Sequence, residues 1–133
     1  MSARYLILWA CIAGGSAVAL GAFGAHGLRP KLSPEALATF ETGVRYQILH
    51  ALAIFAAVWL STHTRSTLPL VAAQLWCLGM VLFSGSLYLL ATRSLLGIES
   101  WRWLGPLTPL GGLCFISGWV LLAIAAFRAR AAF

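Results

Sequence analysis

Five side chains able to do acid–base or hydrogen-bond chemistry, Glu41, Arg45, Tyr46, Gln47 and His50, crowd into a ten-residue segment of a chain with few other polar groups. Glu41 and Arg45 are four apart, so on a helix they share a face and can form an ion pair. Tyr46 and His50 repeat that spacing. At about 100° per residue Gln47 lies beside them, within about 100° of both, and this second group faces roughly away from the first. One face can seal a helix end with an ion pair, while the other offers a phenol, an amide and an imidazole to an interior. Three chemistries fit such a set: hydrogen-bonded glue between helices, a ligand or ion site, and catalysis. Glue asks least of the sequence, because a histidine bonded to a neighbouring serine or carbonyl needs no substrate.

Other reactive types are sparse. Ser84, Ser86 and Tyr88 lie together, but their own helix carries no base to activate a serine. His26 lies where the first apolar stretch ends and the second approaches, so it can share a surface with Glu41. His26, His50 and Glu41 would make a metal-ligand set only if the first two helices converge there, and no His-x-x-His or Cys-x-x-Cys spacing supports one. Cys11, Cys77 and Cys114 each sit inside an apolar run and read as small buried hydrophobes. No catalytic residue, cofactor or metal is expected.

The elements that must position these groups are four apolar stretches, Tyr5–Ala25, Val44–Leu60 with its polar start near Phe40, Leu68–Ala91 and Leu104–Phe127. A helix needs about 20 mostly uncharged residues to cross a hydrocarbon core about 30 Å thick. The expected fold class is therefore all-α, a polytopic membrane four-helix bundle. It forms one domain over residues 1–133, with spans near 5–25, 40–60, 68–91 and 104–127. Hydrophobic residues make up 61% of the chain and charged residues 9%, where soluble domains carry about 25% charged. Nine bases and three acids cannot clothe a water-facing surface. The net charge of +6 would suggest nucleic acid in a soluble protein. Here the bases gather at span ends and short connections, which suits phospholipid headgroups and topology setting, and no nucleic-acid partner is expected. The first stretch exceeds the usual apolar core of a signal peptide, and Ala25-His26-Gly27 is a poor cleavage context, so it reads as an uncleaved span.

In that span Ala13, Ala17, Gly21 and Ala25 recur every fourth position, a row that lets two backbones approach closely and marks the helix as central or deeply packed. Ser33-Pro34 reads as a helix start, with Ser33 as cap and Pro34 at the first helical position. A continuous helix from Pro34 to Leu60 would measure about 40 Å. Either it projects beyond the hydrocarbon or it bends near Gly43. Ser61–Thr67 is a short turn. Thr92–Arg102 is a longer polar connection in which Trp101 and Trp103 read as interfacial anchors. Gly105-Pro106 and Pro109 predict an irregular first turn in the fourth span. Up-and-down topology puts both termini on one side, with Arg4, Arg65, Arg128 and Arg130, opposite Arg29, Lys31, Arg45, Arg93 and Arg102. The termini are assigned to the cytoplasm because the bases there lie in tight, short tails.

Several ordered motifs carry a resemblance: Gly21-Ala22-Phe23-Gly24-Ala25-His26-Gly27-Leu28, then Phe40-Glu41-Thr42-Gly43-Val44-Arg45-Tyr46-Gln47-Ile48-Leu49-His50, then Leu82-Phe83-Ser84-Gly85-Ser86-Leu87-Tyr88, and finally Thr108-Pro109-Leu110-Gly111-Gly112. Over essentially its whole length the chain resembles the DUF423 family of uncharacterised membrane proteins, related to the eukaryotic transmembrane protein 256. The resemblance implies a small multi-pass inner-membrane protein and brings no established activity. It also implies that Glu41, Arg45, Tyr46, Gln47, His50 and the Ser84–Tyr88 segment belong to a core shared across the family.

The leading expectation for function is a small structural or accessory integral membrane protein of the bacterial cytoplasmic membrane, able to self-associate through its small-residue faces. One alternative is an oligomeric transporter or channel-like module using Tyr46, Gln47, His50 and Ser84. Another is an enzyme acting on lipid headgroups at the Glu41–Arg45–His26 surface. Expected partners are membrane phospholipids, with a second copy of the chain or another membrane protein. Arg29, Lys31 and Arg102 with Trp101 and Trp103 are the candidate headgroup contacts, since arginine satisfies several phosphate oxygens and tryptophan tolerates a half-wet site.

Overall fold

The computed structural model describes residues 1–64 and 66–129, so Arg65, Arg130 and Phe133 lie outside the described residues. Among the described residues four helices are long and apolar enough to cross a membrane: α1 (Ala3–Leu28), α2 (Pro34–His63), α3 (Leu68–Leu96) and α4 (Leu104–Arg128). Their outward faces carry Ile12, Leu52, Leu113, Ile116 and Phe127, large apolar groups that lipid accepts and water does not. The chain is a multi-pass, all-α membrane protein.

Local chemistry sets the helix ends. The Ser33 hydroxyl oxygen accepts the Ala36 amide at 3.2 Å and Pro34 occupies the first turn, so α2 starts where its cap residues stand. Gly97 stops α3 in the left-handed region at φ +67°, with the Ile98 amide donating back to the Arg93 carbonyl at 3.0 Å. The helix therefore runs further into the Thr92–Arg102 connection than its polarity suggests. α2 is continuous, with no break at Gly43. Its missing side chain instead seats the Tyr88 ring, which a Cβ would strike. The first turn of α4 is likewise regular, with Pro109 inside the helix; the amide it lacks would have bonded Gly105, which is exposed near the membrane surface.

Successive helices are antiparallel neighbours, and α2 and α3 form the short diagonal of a rhombus. α1 lies on α2 and only brushes α3; α4 lies on α3 and only brushes α2. Among the described residues α1 and α4 do not meet. The most apolar windows of α2 and α3 are 50% and 44% buried, against 22% for α1 and for α4, so α1 is peripheral and not central as its small residues suggest. The close approach itself is present: Leu6, Ala10, Ala13, Ala17, Gly24 and Leu28 are buried, while Ala25 is exposed. A strict every-fourth row winds about 40° around the helix per step, so by Ala25 it has left the contact face. The buried row steps by four, three, four, seven and four and stays on it.

The α3–α4 contact is closer. α3 widens into a π-helical stretch at Met80–Ser84, and Gly111 lies against it. A Cβ at Gly111 would strike the Phe83 backbone, one at Gly118 the Trp76 indole, and one at Gly79 the Phe115 ring. The indole of Trp76, fully buried, donates to the Phe115 carbonyl at 3.2 Å. Met1 donates its terminal ammonium to Gln74 Oε1 at 3.1 Å, tying the chain start to the α3 end that follows His63.

Candidate functional site

Gln47 and His50 are three apart on the buried face of α2, and each reaches a different pair of helices. The Gln47 amide nitrogen donates to the Ala13 carbonyl at 2.8 Å and to Ser16 Oγ at 2.9 Å, both on α1. Its Oε1 accepts the Tyr88 hydroxyl of α3 at 2.8 Å. Ser16 closes the ring by donating to the Ala13 carbonyl at 3.1 Å. One side-chain amide thus joins three helices with both its N–H groups and its oxygen engaged.

His50 turns towards α4. The Trp119 indole N–H lies 3.2 Å from His50 Nε2, and an indole nitrogen can only donate, so Nε2 is the acceptor. The ring proton therefore sits on Nδ1, which donates to the Tyr46 carbonyl at 2.8 Å. That network assigns a neutral imidazole with both nitrogens engaged. The Phe115 ring stacks on it with centroids 3.6 Å apart and planes 6° off parallel, and Trp76 and Trp119 approach at 6.0 Å each. His50 is sixteen residues from Pro34 and thirteen from His63, about 24 and 20 Å along the helix, and so deep in the span.

A third set of bonds links α3 and α4. Ser86 donates to the Phe83 carbonyl at 2.9 Å, which leaves the Thr108 hydroxyl to donate to Ser86 Oγ at 2.7 Å. Ser84 is fully buried in the π-helical stretch, and its hydroxyl has no hydrogen-bond partner among the described residues. Its carbonyl faces Gly43 of α2. Tyr46 is half out of the bundle, with its ring against Phe83 at 4.8 Å.

The remaining candidates stand apart from this cluster. Glu41 and Arg45 are both exposed, and among the described residues no ion pair joins them. Arg45 is eighteen residues from His63, about 27 Å, so it reaches the far membrane surface and can extend into its polar layer. His26 is exposed at the end of α1, far along the chain axis from His50. Among the described residues no three His, Cys, Asp or Glu side chains converge as metal ligands do. Arg29, Lys31, Trp101, Arg102 and Trp103 are all exposed at the loop end, where the two indoles approach with centroids 5.4 Å apart. Arg29 and Glu41 line one cleft there. A second, membrane-facing groove of about 300 Å³ between α1 and α3 runs past Trp9, Ile12 and Val81 to Gln47 and Tyr88. Cys77 is buried as expected of a small hydrophobe, whereas Cys11 faces outward.

The sequence suggests a neighbouring serine or carbonyl for His50; a carbonyl, that of Tyr46, is one partner, whereas the Trp119 indole, the Phe115 and Trp76 rings and the Ser16 and Thr108 hydroxyls have no counterpart in that expectation. A signal existed for the tryptophans. Trp76 and Trp119 lie well inside apolar stretches, where an indole N–H has no water and must find an acceptor.

A family model described as a protein of unknown function, DUF423, matches residues 20–112. The chain belongs to the DUF423 family. Among its relatives, the UPF0382 membrane protein YwdK of Bacillus subtilis is 41% identical over 84% of this chain and 87% of its own length. A UPF0382 membrane protein of Haemophilus influenzae is 39% identical over 98% of both chains. The UPF0382 inner membrane protein YgdD of Escherichia coli is 37% identical over 98% of this chain and 95% of its own. No solved structure matches. The DUF423 chain described here is an integral membrane protein whose biochemical activity its relatives' names do not state. The first two motifs, Gly21–Leu28 and Phe40–His50, fall inside the matched residues, as do Ser84–Tyr88 and Thr108–Gly112.

Proposed function

We propose that this chain is a structural or accessory component of the bacterial cytoplasmic membrane, with both termini in the cytoplasm, and that its interior polar groups hold helices in register. The observation that carries the reading is the use of Gln47 and His50: every hydrogen-bonding atom on these two side chains is engaged by a neighbouring helix or its own backbone. A polar group in lipid needs a partner, and a set that supplies its own partners stabilises the bundle without presenting a free donor to a substrate. The inner-membrane name of the Escherichia coli relative supports the location. The orientation rests on Arg4 and Arg128 lying in short tails close to the span ends, against five bases at the loop end. Membrane phospholipids are the proposed partners of the basic and aromatic residues at the loop end.

The test is aqueous access. In a variant lacking Cys11, Cys77 and Cys114, a cysteine at position 47 or 50 should resist a small charged thiol reagent in cells, while one at Ser100 reacts. Labelling at 47 or 50 would reveal a hydrated path and overturn the reading. Reporter fusions at the N-terminus and after Phe133 should both report the cytoplasm; a periplasmic signal from either would reverse the orientation.

A further inference from the structure

We infer that the loop end of the bundle binds a phospholipid with an ethanolamine headgroup in the cleft formed by Lys31, Glu35 and Arg93. This rests on the reading above that the loop end lies at headgroup level.

The cleft has a volume of about 540 Å³ and lies between the α1–α2 connection, the first turns of α2 and the last turns of α3. That size falls in the range of about 300–1,000 Å³ common for small-ligand sites. Its two cations come from separate elements, Lys31 from the connection and Arg93 from the end of α3. Neither side chain makes an ion pair or hydrogen bond among the described residues. Glu35, in the first turn of α2, supplies the opposite charge. Leu32 and Leu90 make the apolar part of the wall, and Leu95 and Leu96 lie exposed just beyond Arg93.

This pattern selects a ligand with a phosphodiester, a protonated amine and an apolar tail. Lysine and arginine complement the phosphate charge-to-charge, with the guanidinium able to hold two of its oxygens. An ethanolamine ammonium carries N–H groups that can bond Glu35. A choline headgroup has the same charge but no N–H to donate, and a glycerol headgroup has no cation for the carboxylate. Leu90, about one turn deeper along α3 than Arg93, borders the cleft on the side where hydrocarbon begins and favours a lipid over a free phosphate compound.

The test is native mass spectrometry of the full chain after graded delipidation from an equimolar mixture of phosphatidylethanolamine, phosphatidylcholine and phosphatidylglycerol with identical acyl chains. The parent should keep one phosphatidylethanolamine with about tenfold preference over phosphatidylcholine, the ratio expected of one charge-assisted hydrogen bond. Glu35→Gln should abolish that preference while lipid is still held, and Lys31→Gln with Arg93→Gln should lose the tightly held lipid altogether. Thermal stabilisation of the unmodified parent by phosphatidylethanolamine, above that by phosphatidylcholine, gives the same answer without any variant. Equal retention of the three lipids, preference for phosphatidylglycerol, or displacement of the lipid by soluble phosphoethanolamine would each overturn the site. Such a result leaves the packing role of Gln47 and His50 standing, because that role is read separately from thiol access at positions 47 and 50.

Discussion

Alanine at Gly111 and alanine at Gly15 are the same chemical change, yet the structure demands effects of opposite sign. Gly15 lies in the middle of α1 facing outward, and a Cβ there meets nothing within 4 Å. Replacing a mid-helix glycine by alanine removes backbone freedom from the unfolded chain and stabilises by about 0.5–1 kcal/mol. Gly111 gains the same amount, but its Cβ would strike the amide nitrogen, Cα and Cβ of Phe83. Two of those atoms belong to the α3 backbone and the third is bonded directly to it, so none can swing aside as a side-chain tip would. Forcing the two helices apart costs about 1–3 kcal/mol, as overpacking does in well-packed interiors. The two variants should therefore differ by about 1–3 kcal/mol, with Gly111→Ala below the parent and Gly15→Ala above it. Equilibrium unfolding by sodium dodecyl sulfate in mixed micelles, followed by circular dichroism, measures this directly. If Gly111→Ala unfolds at the same detergent fraction as Gly15→Ala, the close α3–α4 contact is wrong, and with it the placement of Trp119 beside His50.

Three further outcomes follow from the same geometry. The His50–Trp119 bond requires the proton on Nδ1, so the nitrogen chemical shifts of labelled His50 should show Nε2 as the unprotonated atom; a protonated Nε2 would break the assignment. Removing Gln47 and Tyr88 singly and together (Gln47→Leu, Tyr88→Phe) should give a coupling energy of about 0.6 kcal/mol, with about 1.7 as an upper bound, and strict additivity would remove the α2–α3 link. Cys11 faces outward and Cys77 is buried, so a membrane-permeant thiol reagent should modify Cys11 first, and faster labelling of Cys77 would place α1 on the wrong side of α2.

Length and apolarity alone made the spans legible, because lipid imposes a single coarse requirement on a crossing helix: enough uncharged residues to cover the hydrocarbon. The start of α2 was equally readable, since Ser33 and Pro34 act through their immediate neighbours. What could not be read depended on partners distant in the chain. The Gln47–Ser16 bond joins residues 31 apart and the His50–Trp119 bond residues 69 apart, and no local spacing encodes either. Glu41 and Arg45 illustrate the reverse error. Four-residue spacing permits a pair, but side chains that reach headgroup phosphates and water gain little from closing one.

The small residues carry a different lesson, because alanine and glycine do three different things in this bundle. Ala13 and Ala17 are buried so that the α1 and α2 backbones can approach, and that approach is what brings the Ala13 carbonyl within reach of Gln47. Gly79, Gly111 and Gly118 are hollows for large rings and a widened backbone, which lets Trp76 and Phe115 lie between α3 and α4 and places Trp119 against His50. A Cβ at Gly15 or at Gly85 would meet nothing within 4 Å. A four-residue row of glycine and alanine therefore says only that a close approach is permitted. Which rows are used is decided by the partner helix, and here that choice puts the polar side chains of α2 between both pairs of neighbours. Their hydrogen bonds fix the rotation of each helix about its own axis, something that apolar packing against equally apolar lipid specifies only weakly.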